Sequence, residues 1–160
     1  MDKIRQKKGF TLIELIITTA VLVVLISLVF AAQSRVLANT YLDSNTDQIK
    51  QTLWLAQTKS QSGLNNSSWG VNFDNTLSEF TIFKGESYST RDSSFDITTP
   101  LPSSLNFSSI SLNQGGNSVI FTQYSGETDN YGSITLSNSE NIYNIIQINS
   151  KGLISITQSP

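Results

Sequence analysis

Residues 10–32 read FTLIELIITTAVLVVLISLVFAA. They are apolar except for Glu14 and a few hydroxyls, and neither Pro nor Gly interrupts residues 10–62. As a helix rising about 1.5 Å per residue, the stretch spans about 35 Å, enough to cross a bilayer. A buried core helix is the competing reading. A chain of 160 residues is too small to cover a helix that is apolar on every side. An ordinary secretory signal peptide is the next competitor, because Val29-Phe30-Ala31-Ala32-Gln33 loosely resembles a cleavage site. Against it stand the length of the run, the carboxylate of Glu14 near its start, and a helical pattern that continues past Ala32 without a turn signal.

Working outward toward the N-terminus, the first nine residues carry Lys3, Arg5, Lys7 and Lys8 against Asp2 alone, a net of +3. The remaining residues carry 6 basic and 11 acidic side chains, a net of −5, which gives the chain total of −2. A basic start on an acidic body reads as a topology signal rather than a nucleic-acid site. Glu14 is costly in hydrocarbon unless it has a partner or a task. It either lies shallow beside Lys7 and Lys8, or pairs with a positive group on another subunit.

Toward the C-terminus the pattern turns amphipathic. Leu42, Ile49, Leu53, Ala56 and Ser60 share one helical face, with Val36 and Ala38 extending it upstream. Asn45, Asp47, Gln48, Lys50 and Gln51 are expected on the other side. Gly63, followed by Asn65-Asn66, stops the helix. The prediction is one helix of about 50 residues; the alternative is two helices with a bend near residues 38–40. From Ser68 onward the period changes to two. Strands are expected at 69–73, 80–84, 104–112, 118–124, 132–137, 141–149 and 152–157, six or seven in all, packed antiparallel on the helix stripe. Residues 114–117 and 150–152 look like hairpin turns, and Thr99-Pro100-Leu101-Pro102 like a loop. Trp54 and Trp69, flanking the helix end, are expected in the core.

Composition narrows the chemistry. The chain has no Cys and no His, so thiolate nucleophiles, disulfides, and the commonest general base and metal ligand are all missing. Ser, Thr and Asn number 25, 16 and 14, which suits a polar surface rich in strands and turns. No serine has a base to activate it: Ser125-Gly126 lacks a histidine, and Thr58-Lys59-Ser60 reads as helix surface. Asp92 with Asp96, and Glu127 with Asp129, offer oxygens that could hold calcium, but neither segment has the ligand spacing of a regular calcium loop. Solvated loop charge is the preferred reading, with no metal or cofactor expected. The last 60 residues hold one basic residue, Lys151, so phosphate contacts with nucleic acid are not expected.

The segment Lys7-Lys8-Gly9-Phe10-Thr11-Leu12-Ile13-Glu14-Leu15 resembles the N-terminal signal of type IV prepilins and type II secretion pseudopilins: basic leader, Gly, Phe, three residues, Glu, then the apolar run. The resemblance implies cleavage between Gly9 and Phe10 by prepilin peptidase, and N-methylation of Phe10 by the same enzyme. It also implies that Glu14 neutralises the amino terminus of a neighbouring subunit. A buried carboxylate and a buried ammonium are each costly alone and tolerable as a pair. Many type IV pilins carry a helix-breaking Pro or Gly in mid-helix, and this sequence lacks one.

Residues 54–73, together with Val119-Ile120-Phe121, Gly126, Gly132-Ser133-Ile134-Thr135-Leu136, Ile146-Gln147-Ile148 and Gly152-Leu153-Ile154, further resemble minor pseudopilins of the H type and minor pilins of the T type. The resemblance implies an α+β, pilin-like fold. It comprises a cleaved leader at 1–9, a transmembrane and filament-core helix at 10–32, its amphipathic continuation at 33–63, and a strand-rich head at 64–160. It implies a structural subunit, not an enzyme, of a type IV pilus or type II secretion pseudopilus. Its partners would be the peptidase, other pilin subunits and a membrane assembly platform. It would start in the cytoplasmic membrane with its head outside the cytoplasm, then enter a surface pilus or periplasmic pseudopilus. A tip or adhesive subunit, and an uncleaved single-span membrane protein, are the alternatives.

Overall fold

The computed structural model describes residues 9–158, with side chains described for all of these except 28–38. One α-helix, α1, runs Leu12–Gln61, and its helical backbone continues through residues 38–40, where a bend was the alternative. The chain forms two units, Met1–Leu37 and Ala38–Pro160.

In the second unit α1 carries its apolar stripe as the spacing predicts: Leu42, Ile49, Leu53, Ala56 and Ser60 are buried. Asn45 departs from expectation. It and Thr46 are buried too, because each side chain donates to a carbonyl of its own helix. Asn45 Nδ2 reaches Tyr41 O at 2.8 Å, and Thr46 Oγ1 reaches Leu42 O at 2.7 Å. Gly63 ends α1 with φ 64, the left-handed conformation that glycine adopts without strain.

Eight strands follow among the described residues, in two four-stranded antiparallel sheets. The first sheet has the order β3(Asp92–Pro100), β2(Glu79–Lys84), β1(Trp69–Asp74), β5(Ser118–Phe121). The second has the order β4(Leu105–Leu112), β6(Gly132–Asn138), β7(Tyr143–Ile148), β8(Ile154–Gln158). Period-two patterning puts Trp69, Val71 and Phe73 of β1 inward, with Phe80 and Ile82 of β2 beside them. From the second sheet Phe107, Ile134, Leu136, Ile146 and Ile148 join the same core as the α1 stripe. Phe73 and Phe107 meet edge to face across the two sheets, with ring centroids 5.4 Å apart.

Several expectations are corrected. Residues 92–100 form a strand, where the sequence suggested loops. Pro100 is tolerated because it ends an edge strand, paired with Glu79, where a missing N–H costs no ladder bond on the open side. Residues 114–117 are not a hairpin turn, because β4 and β5 lie in different sheets. Strand β5 stops at Phe121. The 150–152 turn does join the antiparallel pair β7 and β8. Trp69 is buried, but Trp54 is 64% exposed: it lies off the stripe, on the solvent side of α1.

Candidate assembly segment and head surface

The N-terminal segment is built on the first turn of α1. Gly9 and Phe10 precede the helix in irregular, exposed backbone, and no atom comes within 4 Å of where a Cβ on Gly9 would lie. Thr11 sits at the N-cap position: its Oγ1 accepts the Glu14 N–H at 3.3 Å, and its carbonyl accepts the Leu15 N–H at 3.2 Å. Glu14 therefore occupies the first turn, where the partial positive charge of unpaired helix N–H groups favours a carboxylate. Gly9, Phe10 and Glu14 are thus brought to one exposed helix start. Lys3, Arg5, Lys7 and Lys8 lie outside the described residues.

From Leu15 to Ser27 the helix is apolar on all sides apart from three hydroxyls. Leu15, Ile16, Ile17, Val21, Leu22, Val23, Val24, Leu25 and Ile26 are all exposed within the chain. The hydroxyls in this run are satisfied internally. Thr18 Oγ1 donates to Glu14 O at 2.9 Å, Thr19 Oγ1 to Leu15 O at 2.9 Å, and Ser27 Oγ to Val24 O at 2.8 Å. Such bonds let a polar side chain enter an apolar surrounding without an orphaned donor. Among the described residues no helix is long and apolar enough to cross a membrane. Residues 12–27 span about 24 Å as a helix, against about 30 Å of hydrocarbon. The rest of the expected 10–32 span, residues 28–32, lies outside the residues whose side chains are described.

In the head unit, polar clamps tie the helix to both sheets. Ser60 Oγ accepts the Trp69 N–H at 2.8 Å, and Tyr124 N–H donates to Ser60 O at 2.9 Å. Asn144 Nδ2 donates to Asp43 Oδ1 at 2.9 Å and to Thr46 Oγ1 at 3.2 Å. Lys59 lies over the Trp69 ring, 4.1 Å from its centroid, and partial burial lowers its ammonium pKa.

Three of the four carboxylates considered for calcium, Asp92, Asp96 and Glu127, have partners within the chain. Arg91 Nε donates to Asp96 Oδ2 at 2.7 Å. Asp92 Oδ1 accepts from Ser94 Oγ at 2.6 Å and its Oδ2 lies 3.6 Å from Lys84 Nζ. The Ser94 bonds, then Lys84, hold Asp92 below the usual carboxylate range. Glu127 pairs with Lys151 at 2.5 Å, which raises the Lys151 pKa. No group of three or more His, Cys, Asp or Glu side chains placed to hold a metal occurs among the described residues.

With this geometry in hand, comparison with known proteins is informative at both ends of the chain. Residues 4–30 match the prokaryotic N-terminal methylation motif, which covers Gly9, Phe10 and Glu14. The minor pseudopilin EpsH of the Vibrio cholerae type 2 secretion system superposes with a TM-score of 0.56 at 13% identity, over 73% of this chain and 96% of that one. The chain thus combines a prepilin-type N-terminal methylation motif with a pilin-like fold. A second structure of EpsH aligns at a TM-score of 0.49 and 12% identity, over 76% of this chain and 96% of that one. No curated protein matches in sequence. Type IV pilins and pseudopilins are structural subunits rather than enzymes. They are anchored in membranes, assemble into pili or pseudopili, and work with other subunits and a secretion machinery. The pilin-like α+β fold is therefore the one the sequence resemblance implies. Sequence reasoning missed the exposure of Trp54 and the strand at 92–100; the helical stripe, which omits position 54, was the signal available for the first.

Proposed function

We propose that this chain is a minor subunit of a type IV pilus or type II secretion pseudopilus. It is inserted with its basic leader in the cytoplasm and its head outside, and is then drawn into a filament. Prepilin peptidase cuts between Gly9 and Phe10 and methylates the new amino group. Both residues lie in exposed, non-helical backbone, as a protease substrate requires. The observation that carries the reading is the coincidence of the methylation motif with a helix start whose residues 15–27 are exposed and apolar on all sides, apart from hydroxyls bonded back to the helix. A surface of that kind is stable only in lipid or against other helices. An exchange of the first surrounding for the second describes filament assembly.

Glu14 gives the exchange its register. In the filament its carboxylate pairs with the amine of Phe10 on a neighbouring subunit, and a mispositioned subunit leaves that charge uncompensated in an apolar core. The membrane assembly platform supplies the site of addition. The similarity to a minor pseudopilin supports the minor role.

Replacing Glu14 with Ala tests the docking role. The variant should reach the membrane and be processed as the parent is, yet be absent from sheared filaments. Normal recovery of Glu14→Ala in filaments would overturn it.

A further inference from the structure

The head unit has four strand edges, and three are blunted in the ways that keep edges from pairing. Strand β3 ends in Pro100, carries Asp92 and Asp96, and breaks register between Ile82 and Lys84 of its partner. Strand β5 is only 4 residues long. Strand β4 has a register shift between Phe107 and Ser109. Strand β8, ISITQ, has no charge, no proline and no shift along its five pairs with β7.

The groups β8 offers follow from its hairpin. Asn149 N–H donates to Leu153 O at 3.1 Å and Leu153 N–H to the Asn149 side-chain Oδ1 at 2.9 Å, so Asn149 and Leu153 turn their N–H and C=O groups toward each other as a bonded pair does. Antiparallel ladders alternate bonded and non-bonded pairs. The bonded pairs are then Gln147 with Ser155 and Ile145 with Thr157, in the observed register. Ile154 and Ile156 thus turn their N–H and C=O groups away from β7.

That edge borders a groove whose other wall is α1. Lys50, Gln51, Trp54 and Gln57 line one stretch of it with Leu153 and Ile154, about 690 Å³. Asp43 and Thr46 line the next with Ile156 and Gln158, about 310 Å³. Asp47 lines both stretches. Trp54 and Leu153 are 64% and 69% exposed, large apolar side chains on opposite walls. The groove is polar by end: Lys50 lines the Ile154 stretch together with Lys151, which is paired with Glu127, and Asp43 lines the Gln158 stretch. Asp43 accepts only from the neutral amides of Asn144 and Gln158 among the described residues.

We propose that the groove between α1 and β8 receives an extended segment of a different protein chain, added to β8 as an antiparallel strand. The segment is apolar where it meets Trp54 and Leu153. It carries a cation toward its N-terminal end, beside Asp43 and Asp47, and an anion toward its C-terminal end, beside Lys50. Main-chain bonds to Ile154 and Ile156 supply affinity, and the apolar pair and the two charged ends supply selectivity. All of these residues lie in the head unit, so the inference stands apart from the filament reading.

The test uses the full chain in detergent micelles with the peptide Lys-Thr-Val-Thr-Val-Thr-Glu, read by residue-resolved amide exchange. Saturating peptide should slow exchange at Ile154 and Ile156 by about tenfold or more, and leave Ser155 and Thr157, already bonded to β7, little changed. Trp54→Ala should weaken peptide binding about tenfold while leaving head unfolding unchanged, because that side chain is exposed. The reversed sequence, Glu-Thr-Val-Thr-Val-Thr-Lys, should bind more weakly, with the difference fading at high salt. Unchanged exchange at Ile154 and Ile156 with millimolar peptide overturns the proposal, as does equal binding by the reversed peptide or by Trp54→Ala. Protection that grows with chain concentration and no peptide would give the edge to a second copy, and would equally overturn it.

Discussion

Two stretches of α1 share a backbone and differ in everything else. Residues 15–27 are apolar on all sides, apart from hydroxyls bonded back to the helix, and stay exposed within the chain. In the head-unit stretch the stripe of Leu42, Ile49, Leu53 and Ala56 is buried in one core with both sheets, while Asp47, Lys50 and Gln51 face solvent. The head stretch is stabilised by its own fold. The N-terminal stretch depends on what surrounds it, and hydroxyls bonded back to the helix make it fit for apolar surroundings. Mutation should therefore affect folding in one stretch and assembly in the other.

The largest effect is expected where the N-terminal stretch is released. Gly9→Leu should abolish processing, leaving only precursor-sized chain on an immunoblot of native cells; mature-sized product would contradict the cleavage site. Next comes a matched pair. Leu53→Ala removes a fully buried side chain and should lower head stability by about 2–5 kcal/mol in denaturant unfolding. Leu22→Ala, exposed within the chain, should leave that unfolding unchanged and reduce recovery in sheared filaments. Equal effects of the two on unfolding would erase the distinction.

Much of this division is legible in the sequence, because both helical periods and the alternation of β1, β2, β6 and β7 are carried by apolar residues at fixed spacing. Strand β3 is not legible in that way. As an edge strand it is largely exposed, so DSSFDITTP has only Phe95 and Ile97 to mark a period, and its serines and proline read as loop. The assignment of strands to two sheets is also invisible locally, since the 114–117 turn looks like a hairpin but changes sheets. Asn45 misleads because hydropathy cannot see that a helix carbonyl satisfies it inside the core. At the assembly segment the residue types are legible, whereas the Thr11 cap that places Glu14 in the first turn emerges from the geometry.

A smaller effect should come from the clamp between helix end and first strand. Ser60→Ala leaves the buried Trp69 N–H without its acceptor and should cost the head about 1–3 kcal/mol, measured by thermal or denaturant unfolding. No loss would mean that another group takes over that donor. The smallest is an acid effect confined to the β3 edge. Bonds from Ser94, then the charge of Lys84, hold Asp92 below its ordinary pKa, so its contribution is complete above the unfolded carboxylate range. That contribution is lost as pH falls through the lowered folded value. Amide exchange at Ser94 should then accelerate relative to the rest of β3, and Asp92→Asn should remove the pH dependence. An unchanged pH profile in Asp92→Asn would show that Asp92 is not the titrating group.

The central claim is that the N-terminal stretch is cut free at Gly9 and passes from membrane to filament. Mass spectrometry of the N-terminal peptide, in membrane and sheared-surface or periplasmic filament fractions of the native cells, tests it most directly. The account predicts a peptide beginning at N-methylated Phe10 in the filament fraction, in low abundance relative to the principal subunit. A peptide still beginning at Met1 or Asp2, found only in membranes, would contradict it and leave an ordinary anchored protein.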